Sequence, residues 1–146
     1  MARRSEVSGK RMDKIFLDTS ALAALFDRKD FYHADAAKLF GKIAQERRRM
    51  VTTDYVLSEC VTTILMRTNH ANAVKAAEFI FASKAIELVW LDELTKRKAW
   101  EYFTRHSDKK YSFADCTSFV LMKEMKISKS LSFDDHFRQA GFVSIS

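Results

Sequence analysis

Short apolar runs alternate along this chain with stretches whose apolar residues recur every three or four positions. No other feature limits the possible folds as sharply. Ile15-Phe16-Leu17, Met50-Val51-Thr52-Thr53 and Ile86-Glu87-Leu88-Val89-Trp90 have the length and content of strands; Ile127 to Phe133 and Phe142 to Ile145 read as a fourth and a fifth, the last at an edge. Helical patterns lie between them. Thr19 to Phe26 is rich in Ala and Leu. From His33 to Arg49, Ala36, Ala37, Phe40, Ile43 and Ala44 mark one buried face, and Arg47-Arg48-Arg49 suits the negative end of that helix dipole. Asp54 to Met66 follows, with Thr53 or Asp54 as N-cap and Leu57, Cys60, Val61, Ile64 and Leu65 on one stripe; Ala71 to Ser83, Glu93 to Arg105 and Cys116 to Met125 complete the set. Ser112-Phe113-Ala114-Asp115 has the form of a capping box at the head of the last helix.

Strands separated by helices pair in parallel through right-handed crossovers. The pattern therefore predicts an α/β fold, a three-layer α/β/α sandwich around a central, mainly parallel sheet of about five strands. The 146 residues make one domain, and 47% hydrophobic against 30% charged residues excludes a disordered chain. No run of 18 apolar residues exists and no apolar stretch follows Met1-Ala2-Arg3-Arg4, so neither a membrane span nor a secretory signal is expected and the cytoplasm is the expected compartment. Cys60 and Cys116, far apart and without zinc-ligand spacing, read as reduced core thiols. Residues 1–11 are polar and basic and are expected to form a flexible arm or a remnant of an upstream start or of cloning, with the folded domain over 12–146. Arg3, Arg4, Lys10 and Arg11 against Glu6 give this stretch +3, half of the chain's +6, so the basic excess that favours a polyanionic partner is half tail.

In an open parallel sheet, ligands bind beyond the carboxyl ends of the strands. The residues found there are acids. Asp18 ends the first strand, Glu59 lies in the helix after the second, Asp115 opens the helix before the fourth, and Asp134 with Asp135 follows the fourth. Four carboxylates drawn into one crevice repel one another unless a cation compensates them, and hard oxygen-preferring ions such as Mg²⁺ or Mn²⁺ do so. A carboxylate-held Mg²⁺ keeps several waters and accepts phosphate oxygens, which points to a phosphodiester substrate and, with the basic surround, to hydrolysis of nucleic acid. Each acid also has an ordinary use: Asp18 as a helix cap, Glu59 as a solvent-facing helix residue, Asp115 as a capping-box residue, Asp134 or Asp135 as a turn former.

Ile15-Phe16-Leu17-Asp18-Thr19-Ser20, Tyr55-Val56-Leu57-Ser58-Glu59, Ser112-Phe113-Ala114-Asp115-Cys116 and Leu131-Ser132-Phe133-Asp134-Asp135-His136-Phe137 resemble the four motif blocks of PIN-domain ribonucleases, especially the VapC-like toxins. The gaps of 41, 56 and 19 residues between successive acids are similar too, as is His33 ahead of an Ala-rich helix. The resemblance covers about Met12 to Ser146. It implies a Mg²⁺- or Mn²⁺-dependent endoribonuclease, commonly a homodimer, in which Asp18, Glu59, Asp115 and Asp134 hold metal and a metal-bound water attacks the RNA phosphate. Ser132 takes the hydroxyl position before the last acid, Thr19 a supporting one, and Asp135 replaces or supplements Asp134. Toxin-type members are held inactive by a small antitoxin protein.

No catalytic role follows for His33, His70, His106 or His136. Arg47-Arg48-Arg49 and Lys109-Lys110 can grip phosphates or simply solvate helix ends, and the 12 phenylalanines, with Trp90 and Trp100, read as core and dimer surface rather than base-stacking platforms. Other phosphate chemistries fit less well. A haloacid-dehalogenase-type phosphotransferase needs a second Asp where Ser20 stands, and a receiver domain needs an acid pair that Asp13 is too distant to complete. Three glycines, Gly9, Gly41 and Gly141, build no phosphate-binding loop. A non-cutting RNA- or protein-binding module of the same fold, or a housekeeping RNA-processing nuclease, are the alternatives.

Overall fold

The computed structural model describes residues 13–145, so the expectation for residues 1–11 lies outside the described residues. Strand β1 (Ile15–Leu17) leads into helices α1 (Thr19–Phe26) and α2 (His33–Gln45), and β2 (Met50–Thr53) into α3 (Asp54–Arg67) and α4 (His70–Ala82). Strand β3 (Ile86–Val89) precedes α5 (Glu93–Arg105) and α6 (Phe113–Glu124); β4 (Lys129–Leu131), the short α7 (His136–Gln139) and β5 (Val143–Ile145) end the chain. All pairings in the sheet are parallel, in the order β3-β2-β1-β4-β5.

The central strands explain the layering. Every residue of β1 and β2 is buried, so side chains pointing to either face need cover, and helices supply it on both sides of the sheet. Helices α1 to α4 pack among themselves, as do α5, α6 and α7. The chain winds from β1 through β2 to β3 and then returns to the other side of β1 with β4. That reversal puts the switch point between β1 and β4, where crossovers diverge and a crevice opens at the carboxyl ends of the strands. Asp18 and Ser132 lie at that point.

Local chemistry sets the element ends. Thr53 caps α3 through a hydrogen bond from the Val56 N–H, and Ser112 and Asp115 make both halves of a capping box on α6, which therefore begins at Phe113 rather than at Cys116. Helix α2 ends sooner than expected. Arg47 adopts a left-handed conformation (φ 53°), so the three arginines sit in the turn beyond the helix, where Arg48 donates to the Asp13 carbonyl. Strand β4 is shorter than the apolar run suggests, because Lys126 is also left-handed (φ 58°) and the Ile127 N–H stays bonded to Met122 at the end of α6. On α3 the fully buried positions are Val56, Cys60 and Ile64, while Leu65 is exposed.

Helix α7 has only four residues, too few to show a period in sequence. Phe137 accounts for it: this ring is fully buried, 5.9 Å from Phe16 and 5.0 Å from Phe119 between ring centroids. Burying a Phe contributes roughly 1.5–3 kcal/mol, with a further ~0.5–1.5 kcal/mol from each aromatic pair. The Phe137 anchor thereby fixes the segment that carries Asp134 and His136.

Candidate active site

Asp18 is the buried centre of the site. It caps α1, its Oδ2 accepting from the Ser20 N–H at 3.4 Å, and the same oxygen accepts from the Ser20 and Ser132 hydroxyls, each at 2.8 Å. The capping use and the site position thus coexist in one side chain. Only 7% of Asp18 is accessible, and the lost solvation pushes its pKa up to about 6; the charge of Asp115 adds to the rise, while the hydrogen bonds from Ser20, Ser132 and the Thr19 backbone oppose it.

The other acids are tied to Asp18 through short polar links. Thr19 donates its hydroxyl to Glu59 Oε1 at 2.8 Å, drawing an otherwise exposed helix glutamate toward β1. Asp115 accepts the Ser112 N–H at 3.0 Å and lies 2.8 Å from His136 Nδ1, with Oδ2 as the shared acceptor. Asp134 Oδ1 accepts the His136 N–H at 2.8 Å and lies 3.3 Å from the same Nδ1. The imidazole therefore sits between two carboxylates, and an Nδ1–H directed at Asp115 defines its tautomer. Its ring is held edge-to-face against buried Tyr111 at 5.6 Å. Ser132 closes the circuit by accepting the Asp134 N–H at 3.1 Å.

The structure thus gathers Asp18, Glu59, Asp115 and Asp134, with Thr19 and Ser132 between them. Asp135 is not among them. It stands at the head of α7, exposed, and pairs with Arg138 one turn on. Two residues that sequence assigned no role join the site. Ser20 reaches both Asp18 and the Phe133 N–H (2.9 Å), and His136, set aside with three scattered histidines, bridges Asp115 and Asp134. Only the spacing Asp134-Asp135-His136, which places a histidine just past the strand-end acid, hinted at the latter.

Cys60 and Cys116 are both buried free thiols. Burial, reinforced by the nearby charges of Glu59 and Asp18, pushes the Cys60 thiol up to about 12, and burial with the Asp115 charge pushes Cys116 up to about 11. Both are inert at neutral pH. A groove of about 690 Å³ opens beside Glu59, lined by Tyr55, Ser58, Thr62, Trp90 and Ala114.

The donor set is all oxygen with one imidazole, the chemistry that suits a hard divalent cation. Among the described residues no three of these groups already converge as a closed metal cage. A magnesium-like ion does not need one, since it binds through one or two carboxylates and fills its octahedron with water and phosphate oxygens. Asp18 and Asp115, close enough for one charge to raise the other's pKa, fit that requirement.

A parallel sheet with its switch point at β1/β4 and four acids along the crevice there defines a PIN-type domain. The sequence profile of the PIN domain matches residues 15–143, and the chain belongs to this family. Within it the chain is VapC-like. It is 36% identical over 131 residues to the 23S rRNA-specific endonuclease VapC20 of Mycobacterium tuberculosis, covering 90% of this chain and 97% of that protein. It is 28% identical over 123 residues to a VapC ribonuclease of Archaeoglobus fulgidus, covering 83% and 77%. The crystal structure of M. tuberculosis VapC20, described as a sarcin-ricin loop cleaving toxin, superposes with a TM-score of 0.83 at 34% identity over 90% of this chain and 98% of that one.

Proposed function

We propose that this protein is a toxin-type endoribonuclease whose Asp18, Glu59, Asp115 and Asp134 carry a divalent cation, Mg²⁺ or Mn²⁺, against the scissile phosphate of RNA. One observation carries the reading: a single hydrogen-bonded network of Thr19, Ser20, Ser132 and His136 links four carboxylates from positions spanning more than a hundred residues along the crevice at the switch point. Divalent-metal dependence is general among PIN nucleases, and the donor set here suits it.

When bound, such a cation supplies Lewis acidity to a water and charge to the phosphate oxygens. The residues of this chain do the rest. Asp18 and Asp115, near enough for the charge of Asp115 to bear on Asp18, would be the primary ligands. The serine hydroxyls on Asp18 favour its ionised form against the cost of burial, so that it is ready to take a cation. Glu59, held by Thr19 at the mouth of the groove, would orient the attacking water. His136 fixes the mutual position of Asp115 and Asp134.

The relatives direct the choice of substrate. Similarity over nine-tenths of the chain to a protein that cuts the sarcin-ricin loop makes a stem-loop of large ribosomal RNA the first to try. A toxin of this type works in the cytoplasm and is held inactive by a cognate antitoxin. The exposed pair Trp100 and Phe103, backed by half-buried Tyr55 and Phe113, is where we place the second copy of a homodimer. Among the described residues no helix is long and apolar enough to cross a membrane.

The test is cleavage of stem-loop RNAs with Mg²⁺ or Mn²⁺ and with EDTA. Wild-type protein cuts only with metal, and Asp18→Asn and Asp115→Asn abolish cutting while circular dichroism shows the fold intact. Equal cutting by either variant would remove the assignment.

A further inference from the structure

The loop from Asp27 to Tyr32 presents a large apolar side chain to solvent. Phe31 is 88% accessible, the most exposed aromatic among the described residues. The loop holding it is well braced. Asp27 accepts the Lys29 N–H at 3.0 Å, Asp30 accepts the Tyr32 N–H at 2.8 Å, and Arg67 of α3 pairs with Asp30 at 3.2 Å. Tyr32 then lies flat on Phe133, with centroids 4.5 Å apart and planes 5° apart, and Phe31 stands against Tyr32 at 4.9 Å and 87°. Phe133 is flanked in sequence by Ser132 and Asp134, and its N–H donates to Ser20. A ladder of three rings therefore climbs directly out of the site to a free phenyl face.

On the side away from the carboxylates, cations outnumber acids. A cleft of about 700 Å³ next to the same loop is lined by Arg28, Lys29, His33, Arg67 and Lys75. Among the described residues Arg28, Lys29 and Lys75 make no ion pair. An aromatic face beside unpaired cations is how proteins hold single-stranded nucleic acid, where each stacked base is sequence-tolerant and the cations follow the phosphates. Resting on the nuclease reading above, we propose that Phe31, buttressed by Tyr32 and Phe133, is a base-stacking subsite for an unpaired nucleotide flanking the cut, with Arg28, Lys29 and Lys75 on its phosphates. The subsite selects looped over fully paired RNA, because a base already stacked in a duplex offers no free face.

The same rings would also suit a protein segment, but RNA is favoured by continuity with the catalytic carboxylates and by the unpaired cations. The test uses full-length protein and a panel of RNA stem-loops with Mn²⁺. Phe31 is almost fully exposed, so Phe31→Ala leaves the fold intact. For the stem-loop that wild type cuts, Phe31→Ala raises KM by roughly ten- to a hundredfold. Phe31→Trp restores it and Phe31→Leu does not. Replacing loop nucleotides one at a time by an abasic residue finds one position at which wild type loses as much as Phe31→Ala and Phe31→Ala loses nothing further.

An unchanged KM in Phe31→Ala, or additive losses at every abasic position, overturns the subsite while leaving metal-dependent cutting standing. So does loss confined to binding of a co-expressed antitoxin, which would assign the ladder to a protein partner. Failure of wild type to cut any RNA with either metal takes down the nuclease reading and the subsite together.

Discussion

Replacing Asp18 by asparagine should stabilise the metal-free protein at neutral pH while destroying its activity. Asn keeps an oxygen to accept from Ser20 and Ser132 and is an equally good N-cap for α1, so the substitution chiefly removes a charge. Burial raises the Asp18 pKa from 3.8 to about 6. The folded protein therefore keeps this proton up to about pH 6, whereas the unfolded chain releases it near pH 4. Between those values stability falls by ~1.4 kcal/mol for each unit of rising pH and stays lowered above them, roughly 3 kcal/mol in all. At pH 8 in EDTA, Asp18→Asn should thus be about 3 kcal/mol more stable than wild type, on the order of 10 °C in Tm for a chain of this size. At pH 4, where the folded carboxyl is protonated and the unfolded one about half so, the difference should shrink to roughly 0.5 kcal/mol. Added Mg²⁺ should raise the wild-type Tm, by about 2.7 kcal/mol in stability at a hundred times Kd, and leave the variant unmoved. Calorimetry at pH 4 and 8, with EDTA and with Mg²⁺, reads all of this. An Asp18→Asn protein no more stable than wild type at pH 8, or stabilised as much at pH 4, would refute the claim that an uncompensated buried charge sits at the centre of the site.

Other outcomes follow from neighbouring contacts. His136→Ala leaves Asp115 and Asp134 without their common partner and should weaken Mn²⁺ binding or RNA cleavage by roughly 10- to 100-fold, measured by calorimetric titration and by kcat/KM, with Tm little changed. Ser112→Ala breaks the capping box on α6 and should cost ~1 kcal/mol in urea unfolding, together with a loss of activity through Asp115 that Ser112→Thr restores. Native protein should not react with a thiol reagent at pH 7.5, since both thiols are buried with raised pKa values, and both should react in denaturant. Labelling of Cys60 in the native state would show that the floor of the site opens.

The alternation of apolar runs with helical periods in the sequence determined the layer architecture, because period 2 and period 3.6 cannot be exchanged without burying polar groups. Acids at or near the carboxyl ends of the strands, together with the four motif blocks, pointed to Asp18, Glu59, Asp115 and either Asp134 or Asp135. Ser112 and Asp115 declared the start of α6 for an equally local reason, a capping box being complete within four residues. What sequence left open was whatever depends on contacts between distant residues. Asp134 and Asp135 are chemically identical neighbours, and only the burial of Phe137, which pins α7 against Phe16 and Phe119, turns the first toward His136 and leaves the second to Arg138. His136 becomes part of the site because it is brought to Asp115, 21 positions away. Phe31, expected in the core or at a dimer surface with the other phenylalanines, is instead held in solvent by a braced loop and a stacked tyrosine. Periodicity reports which face of an element is buried; which distant side chains meet there is decided only when the elements pack.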